Sequence, residues 1–525
     1  MKVLVTESLS ERGLEVLQED FEVDVRKELA KGDLPGEIAP YDALIVRSAT
    51  QVTPQVIEAG DNLKVVARAG IGLDNVDVEA ATRRGIMVLN APQSNIVSAA
   101  EHTIALLLAQ ARHIPQACAS LKGGAWDRSK YQGVELQGKT LGLVGLGRVG
   151  SLVAQRMVPF GVRVIAFDPY VSRDKAREIE VEMMPTLEAL LVQSDVVSIH
   201  LPRTPETEKL IGRKELAMMK EGSRLVNTAR GSIVDEDALV EALKSGHLAG
   251  AGIDVFSTEP MTEHPLFELD NVVVTPHLGA STVEAQDKAG VTIAQMVRLA
   301  LRGEFVPYAV NLSAGDVPEL VRPFLGIAEK LGALLTGLAP GSIESIDCQY
   351  MGRLAEVDTR VLTLAALKGA LGAVVHEPLS LVNAPLVAQE HGIAVNESKA
   401  SVSRDYVNLI ALKAKGDGEE VTVAGTLLSK RVGRFVNVLD FDVDIAPTRY
   451  MLFLVYDDVP GIIGQVGTMI GAQGINIGGM DVGRKAQGDI AVMGLTLDSP
   501  LAQDALDGIV KAVDAKYARF VTLPE

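Results

Sequence analysis

Three side chains that could carry acid/base and anion-binding chemistry follow one another along the chain. Arg230 lies in NTARGS, Glu259 in DVFSTEP and His277 in TPHLGAS. A guanidinium can bind a carboxylate through two parallel hydrogen bonds, and an imidazole exchanges protons near neutral pH. Glu259 is the nearest carboxylate that could raise the pKa of such an imidazole and fix its tautomer. The three residues together indicate hydride transfer to or from a 2-hydroxy acid.

A glycine-rich loop, GLVGLGRVG, indicates where the hydride carrier would bind. Its three spaced glycines follow an apolar run and open a predicted helix over 148–160; they are Gly145, Gly147 and Gly150. The first permits a tight turn, the second lets the backbone approach a pyrophosphate, and the third lets helix and strand pack. The next strand ends at Asp168, whose carboxylate can bind ribose hydroxyls and would repel a 2′-phosphate. The loop therefore predicts NAD rather than NADP.

Parallel strands must position these segments, because the carboxyl ends of such strands share one edge of a sheet. Short apolar runs alternate with helix-length intervals over the first 300 residues, which predicts parallel α/β sheets. The candidate strands are 2–6, 43–46, 64–67, 141–145, 162–167, 195–200, 224–228, 250–254 and 272–275. The last six predict one doubly wound sheet, and the three polar segments follow its last three strands.

Two predicted long helices, at 98–112 and 282–302, flank this block and suggest that the first domain is discontinuous. We predict four domains: 1–97 with 282–313, then 98–281, 314–448 and 449–525. The last has the order strand, helix, two strands, helix, strand, which is the ferredoxin-like split motif.

Composition limits the partners and the location of the protein. A length of 525 residues fits about three to five domains, and 50 basic against 68 acidic residues (net charge −18) argue against nucleic acid. No run approaches the roughly 18–20 apolar residues of a membrane helix. Cys118 and Cys348 lack metal-ligand spacing. We therefore expect a cytoplasmic protein with two buried thiols, no metal site and no membrane segment.

Several motifs resemble those of the D-isomer-specific 2-hydroxyacid dehydrogenases over essentially the whole chain: LIVRSAT (44–50), ARAGIGLDNVD (67–77), the glycine loop, NTARG, DVFSTEP and PHLGAST. The resemblance is to the long type, whose members oxidise D-3-phosphoglycerate in the first committed step of L-serine biosynthesis. It implies an NAD-binding Rossmann domain and a flavodoxin-like substrate domain. Two α+β regulatory domains, an intervening domain and an ACT domain, would follow in a homotetramer.

The resemblance also implies roles for individual residues around the reacting centre. Arg230 would bind the substrate carboxylate, His277 would be the acid/base, and Glu259 its partner. Positions near the cofactor would be Thr228, Asp254 and Gly279 at the nicotinamide and Arg148 and Val149 at the pyrophosphate. From the residues alone, Asp254 fits a nicotinamide contact or a helix cap.

Arginines near the start of the chain would bind the substrate phosphate. Arg47 and Ser48 follow a predicted strand, and Arg68 precedes the turn AGIG. The resemblance assigns Arg47 and Arg68 to the phosphate and has Arg128 reach into a neighbouring subunit's site. The residues alone fit solvated surface arginines equally well. Ile71 departs from the small hydroxyl or valine that the family often has there, which weakens a side-chain contact at that position.

The C-terminal half contains two candidate regulatory sites. Tyr456, Asp458 and Asn476 match the effector positions of an ACT domain, with L-serine as the implied effector; turn-forming roles fit these residues equally well. A dense basic cluster in the preceding domain could bind an anion or form a solvated turn; it consists of Lys430, Arg431 and Arg434.

Two other functions remain compatible with the sequence. One is a different D-2-hydroxyacid dehydrogenase, which would reduce hydroxypyruvate, glyoxylate or 2-oxoglutarate. The other is an amino-acid-sensing protein whose dehydrogenase fold has lost its activity. The presence of Arg230, Glu259 and His277 argues against the second.

Overall fold

The computed structural model describes residues 1–30, 32–304, 306–312, 317–372, 375, 379–403, 405–417, 419–429, 432–484 and 490–524. Four sheets follow one another along the chain. The first two are wholly parallel, the third is mixed and the fourth is antiparallel. The predicted fold class, two α/β units followed by two α+β units, is confirmed.

The first sheet has five parallel strands in the order β2-β1-β3-β4-β5, the flavodoxin-like order. Its elements are β1 (Lys2–Val5), α1 (Glu11–Gln18), β2 (Glu22–Val25), α2 (Leu34–Glu37), β3 (Ala43–Val46), α3 (Pro54–Ala59), β4 (Val65–Arg68), α4 (Val78–Arg83) and β5 (Met87–Leu89). The apolar runs correctly predicted its three central strands. The two edge strands were missed because β2 reads EVDV, with carboxylates at alternate positions, and β5 has only three residues.

The second sheet has seven parallel strands in the order β12-β11-β10-β9-β6-β7-β8. Its strands are β6 (Thr140–Val144), β7 (Arg163–Phe167), β8 (Glu182–Met183), β9 (Val196–Ile199), β10 (Ser223–Asn227), β11 (Leu248–Ile253) and β12 (Val272–Val274). Its helices are α5 (Ile96–Ala111), α6 (Ile114–Lys122), α7 (Arg148–Met157), α8 (Arg173–Arg177), α9 (Leu187–Leu191), α10 (Arg213–Met218) and α11 (Glu236–Lys244). All six predicted strands are present, in the doubly wound order of dinucleotide-binding folds. The additional strand, β8, has two residues and carries no apolar run.

Helix α12 (Val283–Leu301) brings the chain back to the first sheet. Its apolar face, including Ile293 and Val297, is buried in one cluster with Val3 and Val5 of β1. Against α1 the contact is close, since a Cβ added to Gly13 would lie 2.8 Å from the carbonyl carbon of Gly290. The chain therefore leaves the first sheet through α5 and returns through α12.

The third sheet has six strands in the order β14-β13-β15-β16-β17-β18. Its elements are α13 (Leu325–Leu338), β13 (Ser345–Gly352), α14 (Arg360–Gly372), α15 (Ala384–Glu390), β14 (Ala394–Ala400), β15 (Asn408–Gly416), β16 (Glu419–Ser429), β17 (Val432–Val438) and β18 (Phe441–Ile445). Strand β14 lies at the edge and runs parallel to β13, its one neighbour in the described sheet.

The fourth sheet has the predicted βαββαβ order, with strands arranged as β20-β21-β19-β22. Its elements are β19 (Tyr450–Asp457), α16 (Ile462–Ala472), β20 (Ile477–Arg484), β21 (Ile490–Leu497), α17 (Gln503–Val513) and β22 (Tyr517–Thr522). One face, with Leu452 and Leu454, packs on α16 and α17. The other face places Phe453 and Val492 in the cluster that contains Leu331 of α13. The third and fourth sheets therefore share a hydrophobic core.

The expectation of two buried thiols is wrong for one of them. Cys118 is exposed because it lies on α6, a surface helix with no buried residue. Cys348 is buried in β13, where burial raises the pKa of the thiol to about 12.

None of the described helices combines the length and the apolar character that crossing a membrane requires. Over the same described residues, no group of three or more His, Cys, Asp or Glu side chains is arranged to hold a metal ion.

Candidate active site

Three adjacent strands of the second sheet bring Arg230, Glu259 and His277 to one edge. These residues follow β10, β11 and β12, which are neighbours and run parallel. Because parallel strands end on the same side of a sheet, the segments after them meet in one crevice. The structure therefore brings together the three residues that lie in separate segments of the sequence.

Glu259 and His277 form a hydrogen-bonded pair. The Nδ1 atom of His277 lies 2.6 Å from Oε2 of Glu259, and Oε1 of Glu259 accepts a hydrogen bond of 3.0 Å from the backbone N–H of Phe256. Burial alone would raise the pKa of Glu259, but the hydrogen bonds from His277 and Phe256 outweigh it and lower that pKa. An ionised Glu259 thus orients the imidazole through Nδ1, which leaves Nε2 for proton exchange with a ligand.

Asp254, which is fully buried, holds the turn that carries His277. Its Oδ1 accepts hydrogen bonds from the N–H of Leu278 (2.7 Å) and the hydroxyl of Thr275 (2.5 Å). Its Oδ2 accepts a hydrogen bond from the N–H of Gly279 (2.9 Å). His277 has a φ of 54°, in the left-handed region that non-glycine residues adopt rarely. The contacts of the Asp254 carboxylate therefore stabilise an uncommon turn rather than cap a helix.

Helix α5 braces the same turns with three side chains that the sequence did not single out. Ser98 donates to the carbonyl of Gly279 (2.9 Å), and Nε2 of His102 lies 3.2 Å from Oδ1 of Asp254. Thr103 shares a hydrogen bond of 2.6 Å with Thr228. The partners are 125 to 181 positions away in sequence, so only the fold reveals these contacts.

The glycine loop fits a dinucleotide. Gly145 has a φ of 98°, and a Cβ there would lie 2.6 Å from the carbonyl oxygen of His200; a Cβ on Gly150 would overlap the backbone of Gly145. Gly147 is the N-cap of α7, and a Cβ added to it would meet no atom within 4 Å, so the space a pyrophosphate needs is open there. Burial lowers the pKa of His200 to about 4, so a neutral imidazole lies beneath the loop.

The residues next to this loop complete the candidate cofactor site. Asp168 accepts hydrogen bonds from the backbone N–H groups of Leu146 (2.9 Å) and Tyr170 (2.8 Å), which places its carboxylate beside the glycine turn. Arg148 is exposed and Val149 is half-buried in the first turn of α7.

Arg47, Arg68 and Arg230 form a cluster of cations between the two parallel sheets. The pKa of Arg68 is lowered, first by burial and then by the positive charge of Arg230, with a smaller contribution from Arg47. Arg230 also lies 3.5 Å from Asp74. A Cβ on Gly72 would overlap the Arg230 guanidinium, so the turn AGIG allows this side chain to lie against it. The positive charges of Arg230 and Arg47 both act on Arg68 and are partly offset by Asp74 and Glu7. A crevice with three cations favours an anionic ligand.

Glu7, which the sequence did not single out, organises the loop that follows Arg47. Its carboxylate accepts hydrogen bonds from the backbone N–H groups of Arg47 (2.8 Å), Ala49 (3.1 Å) and Thr50 (3.0 Å). Burial alone would raise the pKa of Glu7, but these backbone hydrogen bonds lower it overall. Ser48 lies exposed at the tip of the loop. An internal anion therefore fixes the backbone beside the cation cluster.

Two sets of candidate residues lie outside this crevice. Arg128 is exposed on a short helix after α6, and in the described part of the chain it forms no hydrogen bond or ion pair with the cation cluster. In the third sheet, Arg434 lies 3.3 Å from Asp444. Lys430 and Arg431 lie outside the described residues.

The candidate effector residues lie at the end of β19 and just before β20, two strands that β21 separates in the fourth sheet. Asp458, mostly buried, pairs with Arg484 at 3.3 Å. Burial, and secondarily the Asp458 charge, raise the pKa of Tyr456. Asn476 donates a hydrogen bond of 2.9 Å to Asp498. Tyr456 and Asp458 are therefore brought together, and both Asp458 and Asn476 already have protein partners.

Comparison with known proteins finds two matching family models. The model of the D-isomer specific 2-hydroxyacid dehydrogenase, NAD binding domain, matches residues 104–279. The model of the D-3-phosphoglycerate dehydrogenase intervening domain matches residues 320–439.

Two relatives match this chain over nearly its full length. A D-3-phosphoglycerate dehydrogenase of Mycobacterium tuberculosis is 46% identical over 523 residues, 99% of each chain. That of Bacillus subtilis is 40% identical and covers 100% of each chain. Among solved structures, the TT0316 protein of Thermus thermophilus is 39% identical with a TM-score of 0.55, covering 59% of this chain and 100% of its own. The apo D-lactate dehydrogenase of Escherichia coli is 29% identical with a TM-score of 0.54 over the same shares.

Proposed function

The chain belongs to the D-3-phosphoglycerate dehydrogenases, the long type with an intervening domain in the D-isomer-specific 2-hydroxyacid dehydrogenase family, and we propose how its residues perform the reaction. The enzyme oxidises D-3-phosphoglycerate to 3-phosphohydroxypyruvate with NAD, a step of serine biosynthesis. The observation that carries the residue assignment is the arginine cluster beside the His277–Glu259 pair.

NAD fits the crevice at the carboxyl ends of the second sheet, and when bound it supplies the acceptor for the hydride from C2. The open space at Gly147 and the N-terminus of α7, with Arg148 and Val149, would hold the pyrophosphate. Asp168 would accept hydrogen bonds from the ribose hydroxyls and disfavour a 2′-phosphate. Thr228 and Gly279, which α5 braces, would border the nicotinamide.

In the proposed reaction His277 accepts the proton of the C2 hydroxyl at Nε2 as the hydride leaves. The carboxylate of Glu259 stabilises the positive charge that the imidazole then carries. Asp254 keeps the turn in place and thereby fixes where Nε2 lies. In the reverse direction the protonated imidazole returns the proton to the carbonyl oxygen.

The arginines divide the two anionic groups of the substrate between them. Arg230, which follows the same sheet as His277, would bind the C1 carboxylate. Arg47 and Arg68, with the exposed Ser48, would bind the phosphate from the first sheet. Burial is the largest cause of the lowered pKa of Arg68, followed by the positive charge of Arg230; a substrate with at least two negative charges would offset the second of these.

Initial rates with competing acids test this function against its nearest alternative. We expect kcat/KM to be highest for D-3-phosphoglycerate and for 3-phosphohydroxypyruvate in the reverse direction. A higher kcat/KM for hydroxypyruvate, glyoxylate or 2-oxoglutarate would assign the enzyme to a different member of the family.

Replacing Glu7 with glutamine should raise KM for D-3-phosphoglycerate about tenfold, because hydrogen bonds to a charged acceptor contribute about 1.5–3 kcal/mol and hold the loop of Arg47. The chemistry takes place on the other sheet, so kcat and the KM for NAD should stay near the wild-type values. Steady-state kinetics measure all three constants. Glu11→Gln, at an exposed position on α1, is the matched control. An unchanged KM in the Glu7→Gln enzyme would remove Glu7 from this role.

We further propose that L-serine regulates the enzyme at the fourth sheet. Asp458 would bind the α-amino group in place of Arg484, and Asn476 would hold the carboxylate, with Tyr456 beside them. The exposure of Asn476 supports access to this site. A second such domain, in the homotetramer that the family resemblance implies, would complete it, and Arg128 would reach a neighbouring active site in the same assembly.

Replacing Asp458 with asparagine should raise the serine concentration that half-inhibits the enzyme at least about tenfold, since it removes the charge that pairs with the ammonium group. Rates of NADH formation over a serine titration measure this. Asp504→Asn, an exposed change on α17, should keep the wild-type response. If Asp458→Asn also keeps it, serine acts elsewhere or not at all.

The domain division also stays a proposal. We propose that 1–97 with 282–313 form the substrate-binding domain and 98–281 the NAD-binding domain. The regulatory domains would be 314–448 and 449–525. The packing of α12 on the first sheet supports the discontinuous first domain. The two free thiols support a reducing, cytoplasmic setting.

A further inference from the structure

A cavity of about 630 Å³ lies between α14, α15 and the edge strand β14, apart from the residues assigned to catalysis and to serine. Its walls are mainly apolar and include Leu364, Leu367, Pro385 and Ile393. This volume and lining are typical of sites that take small molecules, in which a few polar groups fix the orientation of the ligand. Among the polar residues that line this cavity is Glu397 of β14, whose carboxylate is held by hydrogen bonds from neighbouring side chains.

Buried hydroxyl groups hold the Glu397 carboxylate in place. Thr359, fully buried, donates to Oε1 (2.7 Å), and Thr363 donates to Oε2 (2.8 Å). The hydroxyl of Thr363 also shares a hydrogen bond of 2.7 Å with the buried Tyr350. Each carboxylate oxygen keeps a further acceptor site, because an ionised carboxylate has about four.

The charge of Glu397 has no ion-pair partner among the described residues. Arg360 also lines the cavity, but its Nε and Nη2 donate to Asp358 at 3.0 and 2.5 Å. Lys399, on the same face of β14, donates to the carbonyl of Val357 (2.5 Å). The cavity therefore presents one oriented, solvent-exposed negative charge beside a mainly apolar lining; it has no ion-pair partner among the described residues, although the positive charge of Arg360 offsets part of it.

This combination selects the chemistry of a ligand. A metal ion would need more ligating side chains than this single carboxylate, and an anion would meet Glu397 as a like charge. We propose that the cavity binds a small molecule with a primary ammonium group on a compact apolar body. The ammonium group would donate to Glu397, and the apolar body would lie between α14 and α15. A simple amine has this chemistry, and an α-amino acid with an apolar side chain has it provided that its carboxylate lies away from Glu397.

A structural role for Glu397 makes a different prediction. Charged side chains that point inward from an edge strand discourage pairing with another chain. If this were the whole role of Glu397, the cavity would show no preference for an ammonium group. Comparing the binding of an amine with that of the alcohol of the same shape therefore distinguishes a structural role of Glu397 from a ligand-binding role.

The test is a ligand-observed NMR titration of the full-length enzyme with 3-methylbutylamine, 3-methylbutanol, L-leucine and L-serine. We expect saturable binding of 3-methylbutylamine, with an affinity at least about tenfold above that of the uncharged alcohol. If L-leucine binds more tightly than 3-methylbutylamine, the ligand class is an amino acid. If L-leucine binds more weakly, the ligand class is a simple amine. L-Serine, which lacks the apolar body, should not compete with 3-methylbutylamine.

Variants of the cavity decide whether the binding occurs there. Glu397→Gln should weaken 3-methylbutylamine binding at least about tenfold, whereas Glu356→Gln, an equal charge change at an exposed position outside the cavity, should not alter it. Ala394→Leu, at an exposed lining position, should weaken binding by filling the cavity without changing charge. The proposal is overturned if the wild-type enzyme binds neither 3-methylbutylamine nor L-leucine, or if 3-methylbutanol binds as tightly as 3-methylbutylamine. It is also overturned if both cavity variants bind 3-methylbutylamine with the wild-type affinity.

Discussion

Replacing His277 with alanine is expected to lower kcat for D-3-phosphoglycerate oxidation by about 10²–10⁴-fold, the usual contribution of a general acid/base. The imidazole is the group that accepts the hydroxyl proton, and Glu259 holds it at 2.6 Å in the orientation that presents Nε2. NAD affinity should be unchanged, because the glycine loop and Asp168 lie on other strands of the sheet. Steady-state rates and an NAD titration measure the two quantities.

Two further variants control this expectation. His391→Ala removes an exposed imidazole at the end of α15 and should leave kcat at the wild-type value.

Glu259→Gln removes the negative charge that stabilises a protonated His277. Oxidation needs the neutral imidazole, so the acid limb of its kcat/KM profile should move to lower pH in this variant. Near-normal turnover in His277→Ala, or an unshifted profile in Glu259→Gln, would contradict the proposed pair.

Replacing Arg230 with alanine is expected to lower kcat/KM by about 10²-fold or more, equivalent to about 2.7 kcal/mol of transition-state binding. The variant loses the planar donor for the C1 carboxylate. Arg230→Lys keeps the charge but loses the paired hydrogen bonds, so its kcat/KM should fall between those of alanine and wild type. The matched control is Arg213→Lys, at an exposed ion pair on α10.

The Arg230 variants also distinguish direct binding from a general field effect. If the guanidinium binds the carboxylate directly, the lower kcat/KM of the Arg230 variants should persist at high salt, since screening acts mainly on exposed and distant charges. A lysine variant with wild-type kcat/KM would show that the site needs only a positive charge there.

The sequence was sufficient for the features that depend on local patterns. The spacing of Gly145, Gly147 and Gly150 after an apolar run predicted the loop, and the structure gives each glycine a distinct steric environment. The alternation of apolar runs predicted both parallel sheets, and the order of Arg230, Glu259 and His277 predicted one crevice because each residue follows a parallel strand.

The features that the sequence could not reveal depend on tertiary contacts. Glu7 binds backbone groups 40 to 43 positions away, and His102 reaches Asp254 across 152 positions. The contacts of Asp254 could not be predicted because a carboxylate after a strand has several uses; in the structure it is buried and accepts hydrogen bonds from the turn that carries His277. Cys118 was expected to be buried from its residue type, but α6 lies on the surface.

The ratio of kcat/KM for D-3-phosphoglycerate to that for D-glycerate tests the central claim most directly. The two substrates share the C1 carboxylate and the C2 hydroxyl and differ in the phosphate that Arg47 and Arg68 would bind. Charge-assisted hydrogen bonds from two arginines predict a ratio of at least about 10² in NADH formation. A ratio near one would show that the arginine cluster does not recognise the phosphate and would contradict the proposed site.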